Sequence, residues 1–322
     1  MRTQKLGIVG VGHVGEHVLA YAANSSLFGE IVTIDTRKEK SFGEALDQAH
    51  ATGLFTRDNV TIYDGDYEDI ADADVIVIAA TYVYDDGRVL ADRQALMKDN
   101  ASIIRSIMEN ITKVTKDAIL IFITNPADTV VYIAANEYEY PLERIMSTGC
   151  MLDSSRLKFE IGRHYGVDPK SVSAYMMGEH GYAAFPVLSH ATVAGIPYYE
   201  LEKHYPEVPL LTADELKERV VHCAYEVLES KQGVTNAAIG QVAFELAKAI
   251  ILDEKSIFSI STPFFDGVYG NDHPVAIGNP TVVGRNGWEK RFLIDLDEWE
   301  TVKMAEAIES IQNNIKVAEE TK

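Results

Sequence analysis

Leu6-Gly7-Ile8-Val9-Gly10-Val11-Gly12-His13-Val14-Gly15 is the stretch whose reading decides the fold of this 322-residue chain. A short apolar run, Leu6 to Val9, ends in glycines and passes into a helical pattern from Val14 to about Leu27. Strand, glycine turn and helix in that order are the parts of a dinucleotide site. Gly10 allows the tight turn, Gly12 removes the side chain that would block a pyrophosphate, and Gly15 lets helix and strand pack closely. From Val14 the helix begins, and its unpaired first-turn N–H groups and positive dipole end face the phosphates. The next strand-like run, Ile31 to Ile34, ends in Asp35. A carboxylate there accepts hydrogen bonds from the ribose hydroxyls and repels a 2′-phosphate, so NAD is expected over NADP, with Arg37 as the counterweight.

Outward from this unit, strand-like runs recur at Val60 to Tyr63, Asp74 to Ala80, Ile119 to Thr124 and Arg144 to Ser147. Helical patterns lie between them at about Lys40 to Ala51, Gln94 to Lys113 and Thr129 to Glu137. Such alternation predicts an α/β fold, a Rossmann doubly wound parallel sheet over residues 1–147 that holds ligands at the carboxyl ends of its strands. After Gly149 the pattern changes, and residues 148–322 are expected to form an α+β domain. A helix runs to about His164, residues 182–200 read as strands with a turn at Gly195-Ile196-Pro197, and residues 213–252 read as two helices broken near Gly233. From Ser256 to Asp295 short strands alternate with turns expected at Asn279-Pro280 and Asn286-Gly287, which suits antiparallel pairing. A last helix spans about Glu298 to Val317.

Composition narrows the class of partner. With 47% hydrophobic residues the chain can bury a substantial core. Its 29 Lys and Arg against 49 Asp and Glu give a net charge of −20, a field that repels phosphate backbones and anionic lipid, so neither nucleic acid nor membrane is an expected partner. An anionic substrate needs locally placed arginines. The two cysteines, Cys150 and Cys223, are too few for a disulfide framework or a zinc site, and no metal is expected. Without a signal-peptide run or a membrane-length apolar stretch, a cytoplasmic location is expected.

Four further places carry polar groups suited to chemistry. In Met176-Met177-Gly178-Glu179-His180-Gly181 a histidine is bracketed by glycines, a setting that hydrophobic packing does not call for. Asp153 and Arg156, three apart at the start of a helix, project from one face, as a surface ion pair worth well under ~1 kcal/mol also would. Asn125-Pro126-Ala127-Asp128 breaks a strand and leaves an amide at its tip, and ordinary turn chemistry is the competing explanation. The segment Thr81 to Asp92, with Gly87 and Arg88, is polar and has the character of a lid leading to Arg93.

Taken together and in order, the glycine fingerprint with Asp35, Asn125-Pro126-Ala127-Asp128, Leu152-Asp153-Ser154-Ser155-Arg156 and Gly178-Glu179-His180-Gly181 resemble the L-lactate and malate dehydrogenase family over nearly the whole chain. The resemblance implies an NAD-dependent dehydrogenase acting on a small 2-keto or 2-hydroxy acid, with a catalytic second domain and a homodimer or homotetramer as the assembly. It implies His180 as proton donor and acceptor, Asp153 as its partner, Arg156 as the anchor of the substrate carboxylate and Arg93 as the lid arginine. Asn125 then serves both the cofactor and the reacting oxygen. The lid between Ala80 and Arg93 is longer than in most of the family and resembles the L-2-hydroxyisocaproate dehydrogenase branch. With Tyr82, Val83, Tyr84, Val89 and Leu90 in it, and Thr235 at a position that is threonine in lactate-type enzymes, pyruvate or a larger apolar 2-keto acid is expected. Arg88 argues for a second substrate carboxylate, which makes malate the alternative. Lys158 and Ser173 occupy the positions of the arginine and histidine that bind an activating sugar bisphosphate in some relatives, so no such activation is expected. Tyr182 replaces a small polar residue after the histidine motif.

The same chemistry follows from the residue types. Hydride transfer to a ketone builds charge on oxygen that a protonated imidazole neutralises, a carboxylate on the other ring nitrogen fixes the tautomer, and an arginine fork matches a carboxylate. An inactive NAD-binding sensor would not require Asp153, Arg156, His180 and Arg93 together. A metal-dependent, NAD-using glycosidase would require ligands that the sequence does not cluster.

Overall fold

The computed structural model describes residues 3–82, 93–231 and 233–322, with backbone alone for residues 93–95. The fingerprint run forms β1 (Lys5–Val9), and the glycine turn leads into α1 (Gly15–Ala23). This helix stops short of Leu27 for a local reason. The Asn24 side-chain amide donates to the Ala20 carbonyl at 2.9 Å, the Ser25 hydroxyl to that of Ala22 at 2.6 Å, and Ser26 takes a φ of 61°, so polar side chains compete with the next helical turn.

The alternation continues through β2 (Glu30–Ile34), α2 (Lys38–His50), β3 (Thr61–Asp64), β4 (Val75–Ile78), α3 (Arg93–Val114), β5 (Ile119–Phe122), α4 (Ala127–Glu137) and β6 (Ile145–Ser147). These strands pair in parallel in the order β3-β2-β1-β4-β5-β6. Successive side chains of each strand point to opposite faces, and both faces are covered. Leu6, Ile8, Val75 and Val77 pack with Val18 and Leu19 of α1. Val9, Ile76, Ile78, Leu120 and Phe122 pack on the other side with Ile104 and Met108 of α3 and Val130 and Ile133 of α4. The strand order reverses between β1 and β4, which opens a crevice at the carboxyl edge of the sheet.

The second half comprises α5 (Met151–Tyr165), β7 (Val172–Met177), β8 (Phe185–Val193), β9 (Ile196–Pro197), α6 (Leu201–His204), α7 (Ala213–Lys231), α8 (Ala237–Ile251), β10 (Ser256–Phe264), β11 (Val275–Gly284), β12 (Gly287–Arg291) and α9 (Glu298–Glu319). Strands β7, β8 and β9 form a small antiparallel sheet, packed by α5 and α7 around Leu157, Ile161, Met176, Leu188 and Val220. The fold is therefore α/β with antiparallel strands in its second half, as expected. The antiparallel strands β10 to β12, however, continue the first sheet: β10 pairs with β6 at Ser261 and Ser147, so among the described residues nine strands run in one sheet. Helix α8 packs on α1, and α9 on α3 and α4, so helices of the second half cover both faces of the first. Among the described residues no helix is long and apolar enough to cross a membrane.

Three local expectations change. Asn279-Pro280 is no turn but the middle of β11, opposite Ile260 and Ser259. The buried Asn279 amide donates to the carbonyls of Pro280 and Phe292, and its oxygen accepts from Tyr269, so the polar side chain is satisfied without a reversal. Residues 182–184 precede β8 rather than belonging to it. Strand β7 went unpredicted, although Val172, Ala174 and Met176 alternate as buried positions.

Candidate active site

Gly10 and Gly15 have no room for a side chain. Gly10 has a φ of +93°, and a Cβ on it would lie 2.5 Å from the Ala80 nitrogen, while one on Gly15 would lie 2.0 Å from the Gly10 carbonyl oxygen. Gly12 differs: the nearest atom to its Cβ would be Arg37 Nη2, 4.0 Å away, so the backbone faces open space of the kind a phosphate fills. Helical bonding starts where Glu16 N–H donates to the Gly12 carbonyl at 3.0 Å, so the amides up to Gly15, that of Val14 included, have no acceptor inside the helix. Asp35 follows β2. Its Oδ2 accepts from Val11 N at 3.0 Å and its Oδ1 from Arg37 N at 2.9 Å, which fixes the carboxylate against the turn and leaves Oδ2 a lone pair for a further donor.

A chain of contacts leads from this turn to the histidine. The Thr124 hydroxyl, just past β5, donates to the Ala80 carbonyl at 2.6 Å, and Asn125 beside it is exposed at the strand tip. Asn100, buried in α3, donates from Nδ2 to the Asn125 carbonyl at 2.7 Å and accepts on Oδ1 from Tyr82 N at 2.8 Å and the Thr81 hydroxyl at 3.2 Å. The segments following β4 and β5 are thus tied at one edge. Asp128, in the first turn of α4, then accepts on Oδ2 from His180 N at 2.7 Å.

His180 follows β7 through Gly178, whose φ is +92°. Gly178 and Gly278 of β11 exchange two backbone hydrogen bonds of 3.1 and 2.9 Å, which pin the loop to the main sheet. Asp153, in the first turn of α5, spans the site: Oδ2 lies 2.9 Å from His180 Nδ1, and Oδ1 accepts from Arg156 Nη1 at 3.0 Å. The side chains of His180, Asp153 and Arg156 are only 21, 11 and 16% exposed. This is not the surface pair that the spacing alone allowed, since removing one partner of a buried pair typically costs ~3–5 kcal/mol against ~1 for an exposed one.

Burial works against both charged forms, and the pairing outweighs it. For His180, desolvation lowers the pKa, but the charge and hydrogen bond of Asp153, with Asp128 behind them, raise it above the ordinary histidine range. For Asp153, desolvation is opposed by His180 and Arg156, and the carboxyl sits below its usual range. A carboxylate beside a protonated imidazole, with an arginine fork next to it, can hold an anion and deliver a proton to it.

The remaining expected residues separate. Thr235 is half-buried between α7 and α8 and makes no hydrogen bond to the others among the described residues. Arg88 lies outside the described residues, and of Arg93 only the backbone, at the start of α3, is described. Asp128, quoted only as the end of the Asn125–Asp128 stretch, was given no role, and Asn100 and Gly278 were missed. A charged residue within the buried apolar run of α4 was the available signal for Asp128. A cavity of about 610 Å³ lies at the opposite edge of the sheet, lined by Asp72, Asp74, Asp117, Arg144 and Arg285. It holds no comparable constellation, as Arg144 there is paired with Asp117. Among the described residues no group of three or more His, Cys, Asp or Glu could hold a metal ion.

Residues 4–147 match the family model for the lactate/malate dehydrogenase NAD binding domain, and residues 150–322 that for the lactate/malate dehydrogenase alpha/beta C-terminal domain. The chain belongs to the lactate/malate dehydrogenase family. Within the lactate/malate dehydrogenase family it is 39% identical over 314 residues to L-lactate dehydrogenase 2 of Clostridium acetobutylicum, covering 97% of this chain and 96% of the relative. The lactate dehydrogenase of Cryptosporidium parvum, solved with lactic acid and β-nicotinamide adenine dinucleotide, superposes with a TM-score of 0.90 at 29% identity over 99% of each chain. The malate dehydrogenase of the same organism superposes with a TM-score of 0.89 at 27% identity, over 99% of this chain and 100% of that one. The fold is common to lactate and malate enzymes of the family, so substrate choice rests on side chains. The open cradle at Gly12, the first-turn amides and the fixed Asp35 fit the dinucleotide that the family's first domain binds.

Proposed function

We propose that the chain is an NAD-dependent L-2-hydroxyacid dehydrogenase that interconverts a 2-keto acid with its L-2-hydroxy acid, the substrate being pyruvate or a larger apolar keto acid. The observation that carries this reading is the single carboxylate of Asp153 joining His180 on one oxygen and Arg156 on the other. Bound NADH supplies the hydride. His180, held protonated by Asp153, gives its ring proton to the carbonyl oxygen in keto-acid reduction and takes it back in the reverse reaction. Arg156 binds the substrate carboxylate in a planar, two-pronged fashion and thereby orients the carbonyl toward His180. Asn125 at the β5 tip is proposed to hydrogen-bond near the reacting oxygen and the cofactor, with Gly10, Gly12, Val14, Gly15 and Asp35 forming the cofactor site. Arg93 is proposed as the lid arginine, and Thr235 and Arg88 as substrate-pocket residues.

An apolar substrate is supported by the apolar residues of the stretch between Ala80 and Arg93 in the sequence and by the similarity to a relative named L-lactate dehydrogenase 2. We read residues 1–147 as the NAD-binding domain and 148–322 as the substrate-binding and catalytic domain. A homodimer or homotetramer is supported by exposed apolar side chains on α2, where Phe42 is 58% and Leu46 39% exposed. A cytoplasmic location accords with this chemistry.

His180→Asn tests the reading directly. The variant is expected to keep NADH binding, followed by the fluorescence of the bound nucleotide, and to lose turnover by at least ~100-fold. Near-normal turnover would remove His180 from the reaction.

A further inference from the structure

Arg37 is a cation that the roles above do not use. It follows β2 and precedes α2, whose start its side chain does not cap. Its guanidinium reaches both parts of the cofactor site. Nε donates to Asp35 Oδ1 at 3.4 Å, and Nη2 is the nearest atom to a Cβ built on Gly12, 4.0 Å away. Nη1 and Nη2 make no hydrogen bond among the described residues, and the side chain is 55% exposed. The two lysines that follow are committed elsewhere: Lys38 Nζ donates to the Gly65 carbonyl and to Asp66, and Lys40 Nζ to Glu16 and Glu44. Of the cations in Arg37-Lys38-Glu39-Lys40, Arg37 alone keeps free donors among the described residues. In a chain of net charge −20, such a fork between a phosphate cradle and a ribose carboxylate is a placed charge.

We propose that Arg37 is a cofactor-specificity residue: a fork that can hold the 2′-phosphate of a phosphorylated dinucleotide and that Asp35 keeps from that task. This rests on the cofactor site proposed above, at the Gly12 turn and Asp35. Two features of Asp35 restrain the arginine. Its Oδ1 accepts from both the main-chain N and the Nε of Arg37, so the carboxylate offsets the guanidinium charge. It also sets a negative charge, only 8% exposed, where a phosphate seeking Arg37 would have to come, and like charges brought together are unfavourable. Once that charge is removed, the same guanidinium faces the ribose corner unopposed, and its planar donors match phosphate oxygens two at a time. Selection against the 2′-phosphate is therefore made by repulsion from one residue, not by the lack of a group to bind it. A pocket built this way changes its cofactor by a single substitution, since the ligand for the second phosphate is already in place.

The test uses two probes that differ by the 2′-phosphate alone, 5′-AMP and 2′,5′-ADP, each competing with NADH whose fluorescence reports the bound fraction. Wild type, Asp35→Asn, Arg37→Ala and the double variant are compared by the ratio of the two affinities. Asparagine keeps an oxygen for the Val11 amide and removes the charge. The ratio is expected to move toward 2′,5′-ADP by at least ~10-fold in Asp35→Asn, and the gain to be lost in the double variant. Arg37→Ala alone is expected to move it the other way by about 2- to 5-fold, as an exposed charge pair would. Any general loosening of the turn weakens both probes alike and cancels in the ratio. The kcat/KM for NADPH relative to NADH should follow the same order. A ratio unmoved in Asp35→Asn, or a gain that survives in the double variant, would overturn the proposal. If 5′-AMP does not displace NADH from the wild type, the placing of the cofactor site fails and this proposal falls with it. A wild type that binds the probes and reduces no keto acid defeats the dehydrogenase reading instead, and the ratio still judges Arg37.

Discussion

At the scale of single residues the site is a division of labour around one carboxylate. Asp153 can bond both His180 and Arg156 because its two oxygens face different elements, the loop after β7 and the next turn of its own helix. Arg156 commits one Nη1 bond to Asp153 and keeps the rest of its planar fork for an anion. A lysine can offer a charge but not two parallel donors while also reaching Asp153. Arg156→Lys should therefore raise KM for the keto acid and lower kcat/KM by at least ~10-fold in steady-state assays; an unchanged kcat/KM would show that the substrate carboxylate is held elsewhere. His180, Asp153 and Arg156 were legible in the sequence because each residue type has a chemical task and the motifs come in a recognisable order. Asp128 was not, because an acid in the first turn of a helix has an ordinary explanation in the helix dipole. Only the fold brings the His180 amide to it.

At the scale of elements, the loop that carries His180 depends on a strand that is remote in sequence. Gly278 lies in β11, and a Cβ there would fall 2.8 Å from Cys150 Sγ and 2.9 Å from the Gly178 carbonyl oxygen. Both contacts lead to the site, one through the start of α5 and the other through the loop that carries His180. Gly278→Val should thus displace the loop, costing about 1–3 kcal/mol of stability in denaturant unfolding and lowering kcat in the refolded enzyme. Wild-type stability and kcat together would show that the two glycines do not register the loop. The parallel strands and their helices were readable because each strand is a run of apolar residues and each helix has its own period. Pairing between distant strands leaves no such local trace. The union of β6 with β10 hangs on Ser147 and Ser261, and Asn279-Pro280 carries the residue types of a turn while sitting between two neighbouring strands.

At the scale of the whole molecule, one nine-stranded sheet holds both halves together, and the site sits where the parallel part ends and the small sheet packs against it. A net charge of −20 repels anionic substrates in general, so the proposed binding of a keto acid calls for a local cation, the role proposed for the fork of Arg156. Asp35, only 8% exposed at its side chain and fixed by Val11 and Arg37, is the residue proposed to turn the cofactor preference toward the nucleotide without a 2′-phosphate. These features meet in one measurement: the loss of NADH absorbance with pyruvate, 2-ketoisocaproate, phenylpyruvate and oxaloacetate offered in parallel, and NADPH in place of NADH as the control. NADH should be oxidised with a higher kcat/KM for one of the apolar keto acids than for oxaloacetate, and NADPH should be a poor substitute. Preference for oxaloacetate would make the substrate malate's keto acid, and tight NADH binding with no oxidation by any of the four would contradict the account.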